Sequence, residues 1–316
     1  MRTALLILTA AVVVALQAPA QELSVAWWNV ENYCDPTDDP HKADNDFTPE
    51  GSYHWNRYKM LAKRDSIYKV IAAMDCPDLV GLAEVEGEEP LRELCLGTPL
   101  RHAGYAYLLS PSSDRRGIAC ALIYRTGRFE PDTSYAIEGS GSRNIFVATG
   151  RTATGDTLVL LLNHWPSRRH SDSTRMASAS ALRMAMAELR RWHPSALIMA
   201  MGDLNCEASE EALNQTMGFA DGSRNAEGTE LLTLRLPPSQ NSYYYHGYWS
   251  NIDHMMLSQP ADSVWQVAAY EVFAPEFMLT EVNTRLGVQP MRTYYGRQYR
   301  GGFSDHLPLI LRLLRH

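Results

Sequence analysis

The sequence predicts an α/β protein whose sheets are of mixed strand direction, with helices packed outside them. Three observations carry this. Four short apolar runs bounded by turn formers read as buried strands: Leu23 to Trp28, Asp78 to Ala83, Leu158 to Leu162 and Ala196 to Met201. Two stretches between these runs carry apolar residues at helical spacing. Further strand pairs with turn signals, such as Ile118 to Tyr124 and Asn144 to Thr149, break any strict strand–helix alternation, which argues against a doubly wound parallel sheet.

Taken in order, the chain opens differently from the rest. Arg2 supplies a positive start, Ala4 to Leu16 is apolar and uncharged, and Ala18-Pro19-Ala20 places small residues where a signal peptidase reads. The apolar run is too short to span a bilayer. Residues 1–20 are therefore expected to be a secretory signal cleaved near Ala20, leaving 21–316 as one exported domain without stable membrane insertion. The 316 residues are 45% hydrophobic and 21% charged, an ordinary globular composition. Cys34, Cys76, Cys95, Cys120 and Cys206 are widely spaced with no CxxC pair. That is neither a zinc framework nor a dense disulfide scaffold, and one disulfide of unassigned pairing is compatible with export.

The first helical pattern, Arg57 to Met74, carries Met60, Leu61, Ile67, Val70 and Ile71 on one face. The second follows Ser173-Thr174 as its N-cap, presents Met176, Ala179, Leu182, Met186 and Leu189, and stops before Pro194. Its methionines read as core filler. The Asp- and Pro-rich region Asp35 to Asp46 lacks the ligand spacing and glycine of a calcium loop, so it reads as a solvated acidic loop. The formal net charge of −7 excludes a global field that gathers nucleic acid. Arg115-Arg116 and Arg168-Arg169 are the candidate local basic patches.

The strands share a feature that core packing does not require: each ends abruptly in polar residues able to do chemistry. Asn29 and Glu31 follow the first, Glu84 the second, His164 the third, and Asp203 and Asn205 the fourth. Asp253 and His254 stand in SNIDHMMLS, and Asp305 and His306 stand before the last apolar run. Strand ends of one sheet architecture converge on a common rim, so these groups are candidate neighbours. Carboxylates, carboxamides and imidazoles with no serine or cysteine nucleophile suit magnesium, manganese or calcium, and suit zinc poorly. Asp305 and His306 are adjacent, and adjacent strand residues face opposite sides, so one of them belongs to a bend that Gly301-Gly302 permits.

Six motifs, in order and spanning nearly all of residues 21–316, resemble those of the endonuclease/exonuclease/phosphatase superfamily. They are Trp28-Asn29-Val30-Glu31, Leu82-Ala83-Glu84-Val85-Glu86, Asn163-His164-Trp165, Gly202-Asp203-Leu204-Asn205, Asn251-Ile252-Asp253-His254 and Ser304-Asp305-His306-Leu307-Pro308. The resemblance implies a four-layer α/β sandwich, two mixed sheets face to face with helices outside. It implies Mg2+, or Mn2+ or Ca2+, held chiefly by Glu84 with Asn29, Glu31 and Asp305 close to the ion or its waters. Asp203 would position or deprotonate the attacking water, and Asn205 would hold a phosphate oxygen. His164 resembles the histidine of the deoxyribonuclease and sphingomyelinase branch, and Arg143 resembles a phosphate-contacting arginine of the deoxyribonuclease branch. Asn29, Asn205, His164 and Arg143 would thus meet the substrate, while His306, oriented by Asp253, would face the scissile phosphate.

The chemistry agrees with this assignment. Phosphoester hydrolysis needs an activated water in line with the leaving oxygen and positive charge on the equatorial oxygens. The resemblance therefore implies an exported, divalent-metal-dependent phosphodiesterase of nuclease-like type, acting as a monomer on a phosphoester that includes nucleic acid among its candidates. A sphingomyelinase-like or small-molecule phosphatase of the same superfamily is the alternative, and a non-catalytic binding protein on the same fold is a third reading. A second catalytic glutamate of the deoxyribonuclease branch has no clear counterpart here, with Asp114 and Glu86 the two candidates. Tyr243-Tyr244-Tyr245, His246 and Trp249 either line a substrate cleft or pack as an aromatic hairpin. A calcineurin-type metallophosphatase is excluded, because it requires an Asp-x-His motif ahead of its GD motif.

Overall fold

A computed structural model describes residues 21–139, 143–217, 230–260, 263–282 and 287–316. The expected signal at 1–20 lies outside the described residues. The four apolar runs are strands as expected, each extended by a few residues: β1 Gln21–Tyr33, β2 Leu79–Val85, β7 Thr157–His164 and β8 Leu197–Asp203. Between them lie β3 Tyr105–Leu109, β4 Ala119–Arg125, β5 Phe129–Ile137 and β6 Ile145–Thr152; β9 is Glu230–Thr233.

Two six-stranded sheets result. The first runs Trp265–Val272, Leu309–Arg315, β1, β2, β4, β3; the second runs β5, β6, β7, β8, Asp253–Gln259, β9. Each contains one parallel pair, β1 with β2 and β7 with β8, among otherwise antiparallel neighbours. This arrangement places the site. Parallel strands end side by side, so Asn29 and Glu84 share one rim of the first sheet, and His164 lies directly opposite Asp203 in the second. The antiparallel neighbour begins where β8 ends, which sets Asp253 opposite Asp203 in the same row.

Side-chain alternation along β6, β7 and β8 sorts the core into two layers. Leu158, Leu160, Leu162, Met199 and Met201 face the first sheet, where they meet Trp27. Val159, Leu161, Ile198 and Ala200 face the other way, onto Ala179, Leu182, Met186 and Leu189 of α3, Asp172–Trp192. On the far side of the first sheet, α1 Arg57–Ala73 buries Met60, Ile67, Val70 and Ile71, and packs beside α2 Glu88–Gly97. The four layers are therefore helix, sheet, sheet, helix. Asn56 caps α1 by accepting the N–H of Lys59. For α3 the expected cap is displaced: the helix starts at Asp172 with Ser171 in the cap position. The Ser171 hydroxyl meets Ser173 and Thr174 hydroxyls there and caps no backbone N–H. None of the five cysteines is joined to another.

Gly81 shows how closely the sheets meet. A Cβ there would fall 2.8 Å from the Trp27 ring, 2.9 Å from Met201 Sδ and 3.2 Å from Leu162. Gly81→Val should overpack this contact and cost about 1–3 kcal/mol, read as a lower denaturation midpoint. Gly127→Ala, with nothing within 4 Å of its added carbon, should change stability by no more than about 0.5 kcal/mol. Equal stability of the two variants would contradict the packing described.

Candidate active site

The polar rim is built at strand ends whose backbone leaves the regular extended form. Glu31 and Asn32 (φ 52°), Glu84 (φ 64°) and Asn205 (φ 51°) all occupy the left-handed region, which non-glycine residues adopt at a cost. In β1 this irregularity falls inside the register shift between Asn29 and Tyr33, and in β2 between Leu82 and Val85. The bulges break the alternation that would otherwise send Glu31 and Glu84 to fixed faces. Asn32 N–H then donates to Glu84 Oε2 at 3.0 Å, tying the two bulges together.

At the centre are Asp203, Asp253 and His306, all buried, with ligating atoms within 4.8 Å of one another. His306 Nδ1–H donates to Asp253 Oδ2 at 2.8 Å, while Nε2 points to Asp203 Oδ2 at 3.7 Å. Asp253 is held from two further directions, by Trp27 Nε1–H at 3.0 Å on Oδ1 and by the Ser242 hydroxyl at 2.7 Å on Oδ2. Burial opposes the imidazolium, but the Asp253 charge and then Asp203 outweigh it and hold the His306 pKa at about 10. Asp253 is correspondingly held below its ordinary value despite burial, by the His306 charge and these hydrogen bonds. Asp203 responds in the other direction: burial pushes it up to about 7, against the pull of His306. It accepts from Asn29 Nδ2 at 3.0 Å on Oδ2 and from the Asn205 backbone N–H at 3.0 Å on Oδ1.

His164 stands across from this trio with the opposite surroundings. Its Nε2 lies 3.7 Å from Asp203 Oδ2 and 3.8 Å from Glu84 Oε1. Its Nδ1 faces Arg143 Nη1 at 2.9 Å, and a guanidinium can only donate. Nδ1 therefore accepts, and the ring proton sits on Nε2, directed at the carboxylates. Burial, and then the charges of Arg143 and Arg116, keep the ring's pKa well below the ordinary value, so it is neutral. Asp114 holds Arg143 at 2.9 Å and also pairs with Arg116. Of the two candidates for a second catalytic acid, Asp114 reaches His164 only through Arg143. Glu86 is drawn away to Lys42 at 3.3 Å.

The four expected metal ligands are divided. Glu84 Oε1 accepts no hydrogen bond among the described residues, with His164 Nε2 3.8 Å away. An oxygen left without a donor beside the Asn29 amide and Asp203 fits a hard divalent cation. The Asp203, Asp253 and His306 group fits one less well, since hydrogen bonds among protein groups already occupy its carboxylates. Glu31 and Asp305 are turned elsewhere: Arg292 donates from Nε to Glu31 Oε1 at 2.9 Å and from Nη2 to Asp305 Oδ2 at 3.0 Å. Glu31 Oε2 accepts the Thr293 N–H at 2.7 Å. Burial and then Asp305 push Glu31 up to about 7, although Lys63 and Arg292 pull down.

Several of these partners carry no motif in the sequence. Arg292, Lys63, Ser242 and Trp27 lie in stretches that read as loop, helix face or core; only the apolar setting of Trp27 hinted that its indole N–H would need a buried acceptor. The bend before the last strand is as expected: Gly301 has φ 67°, and a Cβ on Gly302 would fall 2.2 Å from Met291 O. His254 faces away from the rim and binds Cys206 O through Nε2, as alternation after Asp253 requires. Of the two readings of the tyrosine run, the aromatic hairpin is the one observed. Tyr243–Tyr245 and Tyr248–Ser250 pair as a hairpin, with Tyr244 against Trp249, and the Tyr243 ring lies 4.5 Å from that of His306. A cavity of about 1050 Å³ opens beside Asp305, lined by Tyr244, Tyr245, His246, Arg292, Tyr295 and Arg300.

Comparison with solved structures gives the same fold repeatedly. An endonuclease/exonuclease/phosphatase family protein from Bacteroides thetaiotaomicron matches with a TM-score of 0.62 at 16% identity, covering 95% of this chain and 97% of that one. The human Nocturnin catalytic domain with bound sulfate matches at 0.59 and 16% identity, over 93% of this chain and 95% of that one. A Bacteroides thetaiotaomicron mannosyl-6-phosphatase matches at 0.61 and 17% identity, over 92% and 99%. Comparison with curated proteins finds no match. The model of the Endonuclease/Exonuclease/phosphatase family matches residues 24–315, nearly the full described length, and the chain belongs to that family.

Proposed function

We propose that this chain is an exported phosphoester hydrolase, acting as a monomer, that uses one divalent cation held at Glu84 and Asn29. The observation that carries the reading is the row of Asp203, His306 and Asp253 beside an undonated Glu84 oxygen, with His164 closing the other side. A bound Mg2+, Mn2+ or Ca2+ would supply positive charge to the phosphoryl oxygens and make nearby water more acidic. Asp203, whose carboxyl is held near neutrality, takes the proton from the attacking water, and Asn205 helps fix its position. His306, charged through Asp253, stabilises the oxygen on which charge develops. His164 contributes a fixed Nε2–H donor, its tautomer set by Arg143 behind it. The apolar run Ala4 to Leu16 followed by Ala18-Pro19-Ala20 supports export.

The surroundings favour a compact, water-soluble phosphoester. Most arginines around the rim have acidic partners: Arg116 and Arg143 share Asp114, Arg168 meets Glu207 and Glu210, and Arg292 meets Glu31 and Asp305. This pairing reduces the positive charge that could release counterions from a polyanion. The tyrosine-lined cavity beside Asp305 instead offers a walled space for a leaving group. A nuclease-like diesterase is the second reading, supported by the position beside His164 of Arg143, which resembles a phosphate-contacting arginine of the deoxyribonuclease branch.

Chelation should abolish turnover of a chromogenic phosphoester and Mg2+ or Mn2+ should restore it. Glu84→Ala should lower kcat by at least about 10³-fold under saturating metal, and metal-independent turnover or an active Glu84→Ala would refute the reading. A panel of small phosphomonoesters, small phosphodiesters, sphingomyelin, RNA and DNA ranks the substrates, with the small esters expected first. Asp253→Asn should lower kcat by about 10²–10⁴-fold and remove the imidazolium N–H signal of His306 from the neutral-pH NMR spectrum. Retention of that signal would show that Asp253 does not set the charge of His306.

A further inference from the structure

Arg292 stands in Met291-Arg292-Thr293, a stretch without a motif, yet its place is fixed from several sides. Thr293 N–H binds Glu31, and the buried ammonium of Lys63, reaching up from α1, donates to Thr293 Oγ1 at 2.6 Å. Gly302 lets the returning chain pass against the carbonyls of Met291 and Arg292, where a Cβ would lie 2.2 and 2.5 Å away. From this anchored backbone the guanidinium reaches both Glu31 and Asp305, with Nη2 2.8 Å from Glu31 Oε1 and 3.0 Å from Asp305 Oδ2. The Glu31 side chain is buried and that of Arg292 about a third exposed, its open edge lining the cavity.

We propose that Arg292 is the resident cation of the Glu31–Asp305 pair, withholding both carboxylates from metal so that the centre takes one divalent ion, at Glu84. The geometry supports this in three ways. Both Glu31 oxygens and one Asp305 oxygen already accept N–H donors. A divalent ion bridging Glu31 Oε1 and Asp305 Oδ2 would occupy the place of Arg292 Nη2 between them, so the guanidinium has to leave first. An arginine does not deprotonate to make room, and its planar fork matches two carboxylates in a way a lysine cannot. With Lys63 beneath, two acidic groups face two basic ones, so the pair is charge-compensated before any ion arrives.

The inference rests on the placement of the metal at Glu84, and Mn2+ binding to the intact chain separates the two. Stoichiometry is read by calorimetry and by the EPR signal of free Mn2+, with circular dichroism confirming the fold of each variant. Wild type should bind one ion and Arg292→Met two, and the added ion should vanish in Arg292→Met/Glu31→Gln. Arg292→Lys should hold one, since it keeps the charge. Two ions on the wild type, or one on a folded Arg292→Met or Arg292→Gln, overturns the role given to Arg292. Glu84→Ala should bind none; retention of the single ion there overturns the metal placement instead. If Arg292→Met does not fold, Arg292→Gln and the wild-type count decide the matter.

Discussion

The hydrogen bond between His306 and Asp253 is the contact on which the rest of the site depends, because it joins the two sheets at their polar rim. His306 precedes the strand that pairs with β1, and Asp253 opens the strand that pairs with β8. Trp27, buried between the sheets, donates to the same carboxylate from the first sheet, so the aspartate of one sheet is gripped by two residues of the other. A buried carboxylate without such donors would be costly, and a buried imidazolium without a carboxylate would lose its proton. Each therefore requires the other, and their pairing constrains how the sheets dock.

The same rule separates the two histidines. His306 has a carboxylate behind it and carries charge; His164 has a guanidinium behind it and does not. Because an arginine offers only donors, the tautomer of His164 follows from one contact, and its N–H is aimed across the gap at Asp203 and Glu84. One ring can thus bind developing negative charge as a cation and the other as a neutral donor, without either changing state. Asp203 lies between them and is pushed towards neutrality by burial, the condition in which a carboxylate is a useful base near pH 7.

Much of this rim was legible in the sequence, because polar residues at the ends of apolar runs are visible as soon as the strands are. Asn29, His164, Asp203 and His306 are brought together by strand order, and the glycine pair before Asp305 turned as its residues suggested. What was not legible was the partner of each group. Arg292 and Lys63 lie in segments with no strand-end signature, and their effect comes from folding them over Glu31. The cap of α3 was misplaced because Ser171, Ser173 and Thr174 all suit that position, and sequence does not rank hydroxyls that bond to each other. Bulges were equally hidden: nothing in Val30-Glu31-Asn32 or Ala83-Glu84-Val85 announces a left-handed residue.

The bulges explain why these strands end in strain at the site and nowhere else along their length. A regular β1 and β2 would alternate their side chains, sending neighbouring polar residues to opposite faces, with one of each pair driven into the core between the sheets. Left-handed turns at Glu31, Asn32 and Glu84 rotate these groups onto the rim at a cost of order 1–3 kcal/mol each. The cost is tolerable because the adjoining residues Val25 to Trp28 and Leu79 to Leu82 are fully buried and hydrogen-bonded in register. The core therefore holds in place a conformation its own strand ends would relax from, and Glu84 keeps an oxygen facing the gap instead of a donor.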